Sequence, residues 1–533
     1  MDELVQKPTV TTTTGTLAGL RDETNGFCVF RGIPYAEPPV GALRFMPPVP
    51  KKPFSDVFDA SRFGHAGPQP FDETEGSYEE FTDEKPGKAW VGNEDNLTLN
   101  VWTPAPDDKK RPVMVWIHGG ANWLESSRLS TYHGDRFVAR GDVIFVSLNY
   151  RLGIFGHLDM SVLGGEKYKG SHMNGLRDQI TALRWIKENI AVFGGDPENI
   201  TVMGESAGSI DISWLLTAGH LDGIARRVVM MSGIAGLVGL SGDLKTGFTQ
   251  GYGQELARDF LAKMNIYSME QILALSTDEI MTRVMAVMQN VDMLTYMDSL
   301  FWARVEETFA PDDPFRAVGK KNNSAIDIMI GYTAYEMGLW LFWDETLDQH
   351  ACDWAAGKIM DFSPAQQAAA VKAYGGSLPH ETGGVQGMYL LGDSIFTIPS
   401  YWFADEYARH GGNVWMYQFD WQSNDRQRAL HAADQAFMFG KLETHAAGHL
   451  IGRPANQADR EKRASLSQAI QDSILAFVRG GGPNTDALPV WPKYDAEERS
   501  VMLFNTESKI KKDPVGPRRQ WWYDAVYKPA LDA

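Results

Sequence analysis

Three short apolar runs constrain this chain more than anything else in it. "VMVWI" (113–117), "VIFVSLNY" (143–150) and "NITVM" (199–203) are almost unbroken. A strand with one wet face alternates, so a run without alternation is expected of a strand covered on both faces. Between the second and third runs, Leu176, Ile180, Leu183, Ile186 and Ile190 recur at helical spacing, and "GGDP" stops that helix. "RVVMM" (227–231), "AIDIMIGY" (325–332) and "NVWMYQF" (413–419) supply three more strand candidates. Strands alternating with helices predict an α/β fold, a mostly parallel sheet with helices on both faces. "TVTTTTGTLAGL" (9–20) reads as an opening hairpin. No repeat or linker interrupts the pattern, and residues 1–533 are expected to form a single domain.

Composition removes several functions. The 533 residues carry 50 basic and 68 acidic side chains, a formal charge of −18. Phosphate binding needs basic clusters, so nucleic acid is not an expected partner. No stretch of 18 apolar residues marks a membrane span, and the start "MDELVQKPTV" holds no apolar signal core. Cys28 and Cys352 are the only cysteines, which excludes a disulfide framework. Together these favour a cytoplasmic, reducing compartment. The triplets starting at Asn96, Asn199 and Asn322 fit the glycosylation pattern and are read as chance. The acidic stretch "FDETEGSYEEFTDE" reads as a solvated excursion. Residues 240–310 are mostly helical in pattern, and the methionines at 281, 285, 288 and 293 read as core.

"ITVMGESAGS" (200–209) places Ser206 between Gly204 and Gly208, after a buried strand and before a helix-like segment with Ile210, Trp214 and Leu215. A strand, a tight turn and a helix lift a serine above the sheet edge, and glycines remove the Cβ atoms that would crowd the turn. The helix aims its N-terminal N–H groups toward the same place. Serine needs a base and an oxyanion hole. "WIHGGAN" (116–122) follows another buried strand, so the N–H groups of Gly120 and Ala121, with that of Ala207, would form the hole. His118 precedes the serine and is read as structural, because the order on such folds is serine, acid, histidine. Among the histidines at 350, 380, 410, 431, 445 and 449, His431 lies on the loop after the last strand candidate, where a base could reach over the sheet edge. For the acid, Glu336 stands four residues beyond Tyr332, where a strand should end, and strand ends carry the sites of open α/β sheets. Asp292, Asp298, Asp312 and Asp313 are rivals on sequence order alone.

These blocks resemble the type-B carboxylesterase and cholinesterase family of α/β-hydrolases over about residues 8–515. They include "FRGIPYAEPPVGALRFMPP", "EDNLTLNVWTP", "NYRLGIFGHL", "LRDQITALRWIKENIAVFGGDPENITVMGESAGS", "HAADQAFMFG" and "WPKYD". The resemblance implies Ser206 as nucleophile, Glu336 as triad acid and His431 as general base, with oxyanion donors at Gly120, Ala121 and Ala207. It implies Glu205, Ser232 and Asp434 as polar residues around the histidine, and ion pairs Arg44–Glu94 and Arg151–Asp178. The chain also departs from the family. Asn96 stands where a cysteine is usual, with no partner near Pro68. Ala121 replaces a third glycine, and Asn122, then Trp123, follow where an aromatic is usual. Trp90 is not in register with the choline-binding tryptophan, so choline specificity is not carried over.

The expected activity is hydrolysis of carboxylic esters by acyl transfer, without a metal or an organic cofactor. The same constellation serves amides and carbamates. A non-catalytic binding protein on this fold is the remote alternative, and this chain keeps all three triad residue types. The expected partner is a small-molecule ester with a bulky apolar or aromatic part, received by Trp123, Phe301, Trp302, Trp340 and Trp343; oligomeric state is left open.

Overall fold

The computed structural model describes residues 7–71, 89–236, 249–289, 300–320, 325–341, 362–422 and 428–532. Its centre is an 11-stranded sheet. In chain order the strands are β1 (Leu20–Asp22), β2 (Phe27–Pro34), β3 (Thr98–Thr103), β4 (Arg111–Ile117), β5 (Ile144–Leu148), β6 (Gly195–Glu205), β7 (Arg227–Met231), β8 (Asp327–Thr333), β9 (Val414–Phe419), β10 (Ser500–Phe504) and β11 (Lys509–Lys512). The spatial order is β11-β10-β9-β8-β7-β6-β4-β5-β3-β2-β1. From β5 to β10 every neighbouring pair is parallel. The strands at the two edges are antiparallel. The opening hairpin Thr9–Thr12/Gly15–Ala18 forms as predicted, in a separate small sheet with Phe58–Asp59.

The apolar runs explain the layering. Side chains alternate across a strand, so on β4 Val113, Val115 and Ile117 enter one core and Met114 and Trp116 the other. Neighbouring strands continue both sets: Val202, Val228 and Ile330 lie in the first core, and Met203, Val229 and Met329 in the second. Helix α1 (Asn174–Asn189) brings Leu176, Ile180, Leu183 and Ile186 to the first core. A later helix, Gln457–Arg479, brings Leu466, Ile470 and Ile474 to the second. Residues 250–288 form helices around a third cluster that holds Met281, with Met285 and Met288 packed against it. Met293 and most of the acidic excursion lie outside the described residues.

The two predicted ion pairs form as buried forks. Arg44 donates from Nε and Nη2 to Glu94 at 2.7 Å each. Arg151 donates to Asp178 from Nε at 2.7 Å and from Nη2 at 2.6 Å. Asn96 is buried and donates from Nδ2 to the Tyr150 carbonyl at 3.0 Å, so a glycan has no access to it. Cys28 is a free, buried thiol.

Candidate active site

Ser206 stands at the turn between β6 and helix α2 (Ala207–Thr217). Its backbone has φ 51° and ψ −121°, a conformation that costs a non-glycine residue about 1–3 kcal/mol. Its surroundings hold it there. The Ser206 N–H donates to the Met231 carbonyl at the end of β7 at 2.9 Å, and its own carbonyl accepts the Ile210 N–H at 2.9 Å. The two flanking glycines are required by close approach. A Cβ on Gly208 would meet the Ile117 carbonyl oxygen at 2.3 Å, and one on Gly204 would meet the Gly208 backbone at 2.7 Å.

The loop after β4 closes over this turn. A Cβ on Gly119 would stand 3.2 Å from the Ser206 Cβ, so loop and serine are in direct apposition. Gly120 and Ala121 have φ of 81° and 55°. The N–H groups of Gly120, Ala121 and Ala207 donate to nothing among the described residues, and Ala207 is the first residue of α2. His118 has the structural role expected of it. It is buried, stacks on Tyr150 at 4.6 Å and has its Nδ1 3.2 Å from the Gly119 carbonyl, and burial pushes its ring down to about 4.

Two loops bring the other predicted residues together. Residues 334–336, after β8, run beside residues 429–431: the Tyr335 N–H donates to the Ala429 carbonyl at 2.9 Å and the His431 N–H to the Glu336 carbonyl at 3.1 Å. This backbone zipper sets Glu336 Oε2 2.6 Å from His431 Nδ1. The other carboxylate oxygen, Oε1, accepts the Thr333 N–H at 2.7 Å, which fixes the carboxylate's rotation. The other ring nitrogen, Nε2, lies 3.2 Å from Glu205 Oε1. No hydrogen bond joins Ser206 Oγ to the ring among the described residues, a looser geometry than the expected contact and one common before substrate binds. Phe396 covers the ring at 4.5 Å, a neighbour that no sequence pattern pointed to.

Two of the rival acids have other work. Asp313 caps the helix Pro314–Ala317, and Asp312 pairs with Lys320. Asp292, Asp298 and His350 lie outside the described residues. His380, His410, His445 and His449 are exposed.

The buried charges around His431 are unequal in number. Burial works against the imidazolium, but the charges of Glu205 and Glu336 outweigh it and hold His431 up, at about 9. Burial also pushes Glu205 well above the carboxylate range. Groups this close share their protons and titrate as one unit. Asp434, again through burial, rises to about 7, although the Tyr417 hydroxyl donates to its Oδ2 at 2.9 Å. The Ser232 Oγ is buried without a hydrogen-bond partner. The Ser232 N–H donates to the Gly331 carbonyl at 2.8 Å. Among the described residues no cluster of three histidine, cysteine, aspartate or glutamate side chains is placed to hold a metal ion, and no helix is long and apolar enough to cross a membrane.

Of the aromatics expected at an entrance, Trp123 and Phe301 stack at 5.2 Å, both buried, and Trp302 is buried in the first core. The side chain of Trp340, and all of Trp343, lie outside the described residues.

Known proteins resemble this chain over nearly its whole length. A sequence model described as the carboxylesterase family matches residues 6–522. The chain is 34% identical over 521 residues to the para-nitrobenzyl esterase of Bacillus subtilis (strain 168), covering 96% of this chain and 97% of that protein. It is 31% identical over 519 residues to the phenmedipham hydrolase of Pseudarthrobacter oxydans, covering 96% and 98%. A crystal structure of a Geobacillus stearothermophilus carboxylesterase matches with a TM-score of 0.82 at 31% identity, over 97% of this chain and 100% of that one.

Proposed function

The chain belongs to the carboxylesterase family and is a serine ester hydrolase with the α/β-hydrolase fold, and from that premise we propose that Ser206, His431 and Glu336 carry its chemistry. Neutral His431 takes the proton from Ser206 Oγ as that oxygen attacks the ester carbonyl. The carbonyl oxygen becomes an oxyanion and receives the N–H groups of Gly120, Ala121 and Ala207. As the intermediate collapses, His431 gives its proton to the departing alcohol, leaving Ser206 acylated. Water then attacks the acyl-enzyme as His431 takes its proton, and as the second intermediate collapses His431 returns that proton to Ser206 Oγ and the acid leaves. Glu336 holds the imidazole orientation and stabilises the imidazolium, without itself taking the proton. The observation that carries the assignment is the 2.6 Å contact between His431 Nδ1 and Glu336 Oε2.

The test is hydrolysis of a chromogenic ester by the purified protein and by Ser206→Ala. Loss of turnover in a folded variant supports the assignment; retained turnover in a clean preparation refutes it. The enzyme acts on small-molecule esters, and we infer that the preferred ones have a bulky apolar or aromatic part. Trp123, one residue past the oxyanion loop, and its stacked partner Phe301 support this. A panel varying acyl and alcohol groups separately tests it, and a clear preference for acetates of small alcohols over every aromatic ester would remove it.

A further inference from the structure

The oxyanion loop adopts a backbone that side chains resist. After Gly120 at φ 81°, both Ala121 and Asn122 have φ of 55°. Two consecutive non-glycine residues in the left-handed region persist only where their surroundings over-determine them. Here the surroundings are polar. Asn122 is fully buried; its carbonyl accepts the Gly153 N–H at 2.7 Å, and its Nδ2 donates to Asp211 Oδ1 at 3.3 Å. Asp211 lies one turn beyond Ala207 on α2, fully buried, and its Oδ2 accepts Gln179 Nε2 of α1 at 2.6 Å. A chain of three buried side chains therefore runs from α1, through the helix that follows the nucleophile, to the oxyanion loop. Among the described residues the Asp211 carboxylate has two amides as hydrogen-bond partners and no cation. Two further atoms, Asn122 Oδ1 and Gln179 Oε1, are buried without a partner. Burial pushes Asp211 up to about 7. Once protonated, Asp211 has an O–H for one of those amide oxygens, because turning an amide over leaves its heavy atoms in place.

We propose that Asn122, Asp211 and Gln179 are positioning residues of the ester hydrolysis, clamping the oxyanion loop onto the helix that begins at Ala207. The proposal rests on the oxyanion donors assigned above. Two of those donors come from the loop and the third from α2, so a slip between loop and helix spoils the convergence of all three on one oxygen. A displacement of about 1 Å can cost about 10² in rate.

The experiment compares Asn122→Ala, Asp211→Ala and Asp211→Asn with the parent enzyme. It measures kcat and KM for a small chromogenic ester across the neutral pH range, and inhibition by a trifluoromethyl ketone, which forms an oxyanion on adding to serine. The two alanine variants should lose roughly 10- to 100-fold in kcat with KM nearly unchanged, and should bind the ketone more weakly by a similar factor. Asp211→Asn keeps the hydrogen-bonding shape of the clamp, so it should keep a kcat and ketone affinity close to the parent's. Parent-like kcat and ketone affinity in the alanine variants overturn the clamp; so does an Asp211→Asn variant as impaired as Asp211→Ala. If Asp211→Ala does not fold, Asn122→Ala and Asp211→Asn decide the matter by the same criteria. Ser206→Ala separates the two levels. If it keeps turnover, the reading of the site itself fails; if it is inactive while the clamp variants match the parent, only the clamp fails.

Discussion

The Arg151–Asp178 pair and the cluster around His431 both bury charge on the same fold, and they are built on opposite terms. In the first, one guanidinium meets one carboxylate. Asp178 Oδ1 takes Nη2, Oδ2 takes Nε and the Arg151 N–H, and Nη1 donates to the Met46 carbonyl at 2.7 Å. In the second, a single imidazole faces Glu336 on one side and Glu205 on the other, with Asp434 behind, and Ser232 Oγ and Asp434 Oδ1 lack hydrogen-bond partners. A matched, fully bonded pair has one low-energy protonation state and serves to fix geometry. An under-compensated cluster has several close in energy, which is what a group that must take and return a proton requires.

The comparison breaks most sharply at Ser206. Ser206→Ala should fold like the parent, as read by thermal unfolding, and lose about 10⁶ in kcat, the scale of triad knockouts elsewhere. Glu336→Gln comes next, with an expected loss of roughly 10⁴ in kcat, because an amide holds the wrong imidazole tautomer. An aspartate able to stand in for Glu336 would leave most of the activity. The matched pairs should behave the other way round. Arg151→Met leaves Asp178 buried without its hydrogen-bonded guanidinium and should cost about 3–5 kcal/mol of unfolding free energy, while kcat per folded molecule, measured well below the unfolding temperature, stays near the parent value. A collapse in kcat with unchanged stability would mean that the pair belongs to the chemistry and that the division drawn here is wrong.

How far the sequence alone reaches follows from the same physics. Residues 113–117 of β4, 144–148 of β5 and 200–203 of β6 are legible because apolar residues dominate both faces, with Ser147 and Thr201 their polar members. β3 is equally buried, yet its "TLNVWT" carries Asn100, whose amide donates to Ser127 Oγ at 3.0 Å and Ser147 Oγ at 3.2 Å, so its burial is hidden by a polar network that exists only after folding. β2 is obscured by its internal Gly32 and closing Pro34. At the site, Ser206 announces itself locally, since the turn that strains it needs glycines two residues to each side. Glu336 and His431 are 95 residues apart and meet through the pairing of two loops, so periodicity could not choose between Glu336 and the aspartates; the family resemblance did. Asn122 and Asp211, 89 residues apart, carry no motif at all. Trp123, Phe301 and Trp302 were predicted from position along the chain, which says nothing about whether a ring faces a pocket or a core; all three are buried.

The smallest expected effect tests the proton balance itself. Burial alone would lower His431; the charge of Glu205 opposes it, as do the hydrogen bond to Glu336 and the charge of that carboxylate. The base works only when neutral, so kcat/KM should climb with pH as the cluster loses its proton, toward a plateau above about 9. Glu205→Gln keeps the shape and removes the anion. With less negative charge around it, the imidazolium is less stable, His431 falls, and the neutral base appears at lower pH. The ascending limb should therefore move toward acid by a measurable fraction of a pH unit or more, with the plateau changing far less than in Glu336→Gln. A one-unit shift corresponds to about 1.4 kcal/mol of interaction between the two groups. The measurement is a pH profile of kcat/KM for the same chromogenic ester. A limb that stays where it was would mean that Glu205 already carries a proton throughout the working range and contributes no charge to the base. A limb that moves toward alkali would reverse the sign of the argument, and with it the claim that an excess of carboxylates is what distinguishes this cluster from the matched pairs.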